Sequence, residues 1–144
     1  MSEQNYSNHT QLVPAFHFVL LPVLLLTIIG AGVNLYQSWG DHERMYSASL
    51  IFVLAVCCAM LAVIARVFAL RAQDRAIRAE ENLRHLVING KLLDPRLRLG
   101  QVIALRFASD GELVPLARRA AEEDLAPAAI KKAIKNWRGD FYRV

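Results

Sequence analysis

The sequence predicts an all-α membrane protein: a transmembrane helical hairpin, its second helix extended into the cytosol, then about three short cytoplasmic helices. Three observations predict it. No charged side chain occurs between Glu3 and Asp41, and none between Arg44 and Arg66. Of the 17 Lys and Arg residues, all but Arg44 lie at or beyond Arg66. No Gly or Pro interrupts the chain between Gly40 and Gly90. Charged residues make up 21% of the 144, an ordinary value, but their segregation excludes a water-soluble domain and a disordered chain. Too little chain remains outside the apolar part to build a sizeable soluble enzyme.

Residues 1–11 form an N-terminal arm without Lys or Arg. A secretory signal begins with a basic segment and has a shorter apolar run, so the first apolar stretch is expected to be retained. That stretch, residues 12–36, gives a helix of roughly 37 Å, more than the ~30 Å hydrocarbon layer. Both apolar stretches are greasy all round, and an isolated span in lipid must pair its backbone groups internally, as a helix. Residues 37–46 form the expected outer loop, with Tyr36, Trp39 and Tyr46 at the apolar boundaries, where amphipathic rings favour the headgroup zone.

Residues 47–70 are the second span. Arg66, Arg71, Arg75, Arg78 and Arg84 cluster at and beyond its end. Positive charge stays on the cytoplasmic side, so both termini are expected there and the loop outside. Cys57 and Cys58 adjoin within this span and point to different faces, which suits neither a disulfide framework nor a metal site. Residues 71–93 mix charge with Ile77, Leu83, Leu86 and Val87, an amphipathic helical extension. Asn89 and Gly90 provide a helix stop.

Residues 94–144 make a small helical region. Asp94 and Pro95 have the form of an N-cap and first helical residue, predicting a helix to about Ala108. Ser109 and Glu112 have capping-box spacing, predicting a helix to about Asp124. Pro127 opens a last helix to about Arg138, ended by Gly139, behind Ala126, a poor cap. No strand pattern competes.

The residues themselves are familiar in form. Glu3, Gln4, Asn5, Tyr6, Ser7, Asn8 and His9, then Pro14, Phe16, His17, Phe18 and Pro22, resemble the opening of a family of small bacterial two-span membrane proteins of unknown function. Ile103, Ala104, Leu105, Arg106, Phe107 and Ala108 resemble its middle. Ile134, Lys135, Asn136, Trp137, Arg138, Asp140, Arg143 and Val144 resemble its end. The resemblance covers nearly the whole chain. It implies a bacterial integral membrane protein and no particular activity.

Ala55, Ala59, Ala62, Ala69 and Ala76 recur at steps of three, four and seven on one helix face. Small residues let helices approach closely in a bilayer. They predict a packing seam, either within the hairpin against Gly30 and Gly32 or between subunits of a homo-oligomer. His17 and Asn34 are the polar residues of the first span with functional potential, His17 as a proton relay or haem ligand, or simply as a partner of headgroups or a backbone carbonyl. Arg66, Arg71, Arg75 and Arg78 are expected to face anionic lipid, in competition with pairing to Asp74, Glu80 and Glu81. Lys131, Lys132, Lys135 and Arg138 lie beside Trp137, Phe141 and Tyr142, but acidic neighbours and the lack of a binding motif argue against nucleic acid.

No phosphate loop, dinucleotide glycine pattern, HExxH or paired zinc-ligand motif is present. The expectation is therefore no catalytic, cofactor or metal residues and no enzyme activity. The leading reading is a self-associating scaffold or partner-docking platform in the bacterial inner membrane, contacting lipid and, in one variant, a membrane-protein partner. The alternatives are an oligomeric small channel or transporter, for which buried ionisable groups are wanting, and an accessory subunit of a larger membrane complex.

Overall fold

The computed structural model describes residues 5–8 and 12–140. The chain divides into two compact units, Leu12–Ala69 and Met1–Gln11 with Leu70–Val144. Among the described residues the regular secondary structure is all helical, with one isolated β-bridge.

The first unit begins with a π-helical segment, Ala15–Leu20, which runs into α1, Leu21–Gln37. The Leu21 N–H bonds the Phe16 carbonyl five residues back. Pro22 accounts for the wide turn: it lacks an N–H, and its ring crowds the carbonyl four residues earlier. α2 spans His42–Asn89, 48 residues without a break. It starts sooner than the expected loop, residues 37–46, allows. Asp41 is the reason: its carboxylate accepts the Arg44 N–H at 3.2 Å and its carbonyl the Met45 N–H at 2.8 Å, so residues 42–46 wind into helix.

α1 and α2 lie antiparallel. Phe16 meets Arg66 at one end, with the guanidinium 5.5 Å from the ring centroid. Further along, a Cβ on Gly32 would touch the Phe52 ring at 3.6 Å. Ala31, Ala48 and Ala55 are buried, flanked by half-buried Leu24, Ile28, Leu35, Phe52, Ala59 and Ala62. The α1 positions step by three or four, as a left-handed pair of helices requires. Both helices are long and apolar enough to cross a membrane, and only 6% and 11% of their most apolar windows are buried. The core helix of a soluble domain is mostly covered; these are not.

The second unit uses the last turns of α2 as one wall. Gly90, at φ 69°, ends the helix in the left-handed region that glycine adopts freely. Asn82 and His85 draw the chain back: the Asn82 side-chain oxygen accepts the Leu93 N–H at 3.3 Å, and buried His85 donates from Nδ1 to the Lys91 carbonyl at 2.6 Å.

Asp94 does not cap a helix. Its carboxylate takes the Arg96 N–H at 2.9 Å and the Arg96 guanidinium at 2.7 Å, closing a turn instead. α3 begins later, at Leu99, and ends at Leu105. Arg98 occupies the cap position in extended conformation, and the Gln101 side chain accepts its N–H at 2.7 Å. α4, Asp110–Glu122, starts behind Ser109 as expected, but without the capping box. Glu112 reaches across to the last segment and accepts the N–H groups of Lys135 and Asn136 at 3.1 and 3.2 Å. Those amides are thereby lost to α5, which stops at Ala133 instead of about Arg138. The chain continues extended, and Arg138 N–H bonds the Phe107 carbonyl at 2.8 Å beside the Ala108–Trp137 bridge.

Leu105, Phe107, Leu113, Ile130 and Val102 are almost fully buried between α3, α4 and α5. Gln101 is buried with them and satisfied, donating to the Leu125 carbonyl at 2.9 Å and to Asp124 at 3.1 Å. Asp124 takes a positive φ of 46° to end α4, and the Leu125 N–H closes back on Ala120.

Candidate functional site

The charged groups of the second unit converge on one face of α2. Ile77, Glu81 and His85 are buried there, at helical steps of four, with Arg84 beside them. The Glu81 side chain is 6% exposed and accepts from Arg84 Nη1 at 3.0 Å and from Arg138 Nη1 at 3.4 Å. Arg84, 12% exposed, also grips Asp110 at 2.8 Å through Nε and the Ala108 carbonyl at 2.7 Å through Nη2. Arg106 pairs with Asp140 at 3.2 Å, and its guanidinium lies 4.7 Å from the Phe107 ring centroid.

A cavity of about 490 Å³ opens beside this network. Gln73, Glu80, Glu81, Arg106, Arg138 and Asp140 line it together with Ala76 and Ile77. Its walls carry both signs of charge, and the deepest carboxylate, Glu81, is already held by two guanidinium groups. Such an arrangement joins two segments firmly. It places no nucleophile beside a base, and among the described residues no group of three His, Cys, Asp or Glu side chains is placed to hold a metal ion.

Outside the network, Asp94 is lowered to about 2 by the side-chain hydrogen bond from Arg96, helped by the Arg96 backbone N–H. Glu112 also lies below its ordinary value. Burial pushes it up, but the amides of Lys135 and Asn136 together push it further down.

The residues singled out from sequence are scattered. Gly32, Ala55, Ala59 and Ala62 lie in the hairpin seam. Gly30 does not: a Cβ there meets nothing within 4 Å. Ala69 and Ala76 are exposed. His17 is half-buried, with Nδ1 2.9 Å from the Val13 carbonyl and its ring edge-on to Phe16. Asn34 is exposed. Arg66 is half-buried over Phe16, whereas Arg71, Arg75 and Arg78 are exposed. Those three form no ion pair or hydrogen bond among the described residues, and Glu81, one of their expected partners, is committed elsewhere. Phe141, Tyr142, Arg143 and Val144, like Glu3, Gln4 and His9, lie outside the described residues.

His85 and Gln101 were not singled out from sequence, and Glu81 was named only as a pairing partner of the basic cluster. Glu81 and Arg84 read as a solvated pair three residues apart; the partner that completes them, Arg138, is 57 residues from Glu81.

The model of a family of unknown function (DUF6526) matches residues 1–144. No curated protein matches the chain, and no solved structure does.

Proposed function

The chain belongs to the DUF6526 family, whose function is unknown, and from that premise we propose that it is a non-enzymatic, self-associating integral membrane protein that presents a small helical domain as a docking platform. The hairpin is the anchor, in a bacterial inner membrane. Both termini and the helical domain face the cytoplasm, where the Lys and Arg residues concentrate.

One observation carries this reading: the division of labour along α2. Its first part has no charged side chain between Arg44 and Arg66. Its last part is a wall of the helical domain, joined through Glu81 and Arg84 to Asp110 and Arg138. A domain whose wall is the continuation of its own membrane helix is tethered to the bilayer. Arg71 and Arg78, exposed and unengaged within the described chain, then meet anionic headgroups, at about 1 kcal/mol for each residue near the surface.

The test has two parts. Purified protein in mild detergent is weighed by native mass spectrometry, and a strict monomer ends the self-association reading. Reconstituted protein is then titrated with vesicles of rising phosphatidylserine content while the domain's environment is followed by a label at exposed Arg96→Cys. Wild type responds to anionic lipid; Arg71→Gln with Arg78→Gln responds less. Equal responses refute the lipid contact.

A further inference from the structure

The outer face of α2 in the second unit has no partner among the described residues. Ala72, Ala76, Ala79, Leu83 and Leu86 follow steps of four, three, four and three, and all are exposed. Leu83 is 61% exposed and neighbouring Val87 78%. At 100° per residue this stripe lies opposite Ile77, Glu81 and His85, the face already packed by the domain. Two leucines and a valine bare on a helix beyond the apolar span need covering.

We propose that the cover is the same stripe of a second copy, in a parallel two-stranded coiled coil. This rests on the self-association reading above and names its surface. In heptad terms Ala76 and Leu83 take a, and Ala72, Ala79 and Leu86 take d. The flanking positions decide the partner. In a parallel pair, each g residue faces the e residue five positions later on the other helix. Here Arg75 at g faces Glu80 of the second copy at e, opposite charges at the required spacing. Asn82 at g faces Val87, so no like charges meet. Neither Arg75 nor Glu80 has an ion pair or hydrogen bond among the described residues. Two copies inserted the same way bring α2 alongside α2 in the same direction. The alanines at 72, 76 and 79 permit close approach near the membrane, and the leucines fill the wider turns beyond.

Cysteine scanning in native membranes tests this, in full-length protein carrying Cys57→Ala and Cys58→Ala. Single variants Leu83→Cys and Leu86→Cys are expected to give disulfide-linked dimers, while Arg78→Cys and Ile88→Cys, off the seam, are expected to give at least roughly tenfold less. Arg75→Glu and Glu80→Arg each weaken the cross-link at position 83, and the two together restore it. Arg75, Glu80 and Leu83 are exposed, and the double variant keeps the pair while reversing it, so recovery of the cross-link separates the interface from any effect of Glu80→Arg on the neighbouring cavity wall. A protein that is dimeric by native mass spectrometry but cross-links equally at 78, 83, 86 and 88 overturns this interface alone. A strict monomer overturns both the interface and the self-association it rests on. Cross-links only to a different protein overturn it in favour of a hetero-partner.

Discussion

Replacing Arg84 by Met removes the centre of the ionic network while keeping most of the side chain's length and apolar stem. The guanidinium holds Glu81 at 3.0 Å, Asp110 at 2.8 Å and the Ala108 carbonyl at 2.7 Å. Asp110 is 75% exposed and rehydrates on loss of its partner, so it contributes little. Glu81 rehydrates far less: its side chain is 6% exposed and would keep only Arg138, at 3.4 Å. Breaking a buried pair from one side costs about 3–5 kcal/mol, and the residual Arg138 contact places this case near about 3. That loss accelerates hydrogen exchange in α3 and α4 by roughly 100-fold, if those amides exchange by opening of the whole unit. Exchange followed by mass spectrometry in detergent measures it. Adding Glu81→Leu to Arg84→Met removes the stranded charge and should recover most of the protection. Acceleration below about threefold in Arg84→Met would refute the claim that burial of Glu81 makes this contact energetic.

Glu112 supplies a pH test. Its folded carboxyl lies below the ordinary value of 4.5, so its contribution is complete above that pH and is lost as pH falls through the folded value. The urea midpoint of wild type should therefore drop on acidification below about pH 4.5 more steeply than that of Glu112→Gln; parallel curves would contradict the assignment. In the hairpin, Gly32→Leu should separate α1 from α2 by collision with Phe52, whereas Gly30→Leu meets open space. Thermal stability in detergent should fall only for the first. Leu113→Ala, at a site with no exposed surface, should cost about 2–5 kcal/mol by denaturant titration.

The two apolar helices and the unbroken course of α2 were legible because their signals are local: absence of charge, absence of Gly and Pro, and a Gly90 stop. Helix starts behind Ser109 and Ala126 were legible for the same reason. What misled were side chains with a choice of partners. Asp94 has cap chemistry but closes a turn with Arg96, and Glu112 has box spacing but captures the amides of Lys135 and Asn136. The early end of α5 follows from that second choice, which depends on residues 23 and 24 positions away. Arg71, Arg75 and Arg78 form a basic cluster that the sequence shows by spacing alone, whereas within the candidate site Glu81 was not legible as a buried residue. A carboxylate three residues from an arginine is ordinary on a wet helix face, and only Arg138 makes it otherwise.

The separation between Glu81 and Arg138 also orders events during synthesis. The hairpin can pair once α2 has emerged, because its partners are near in sequence. The network cannot: Arg138 follows Glu81 by 57 residues, about 3–11 s of translation at 5–20 residues per second. Until then Glu81 has Arg84 but lacks Arg138, and Leu105, Phe107 and Leu113 lack the last segment that packs on them. If the hairpin inserts as proposed, the nascent chain is tethered to the bilayer before its head has a core.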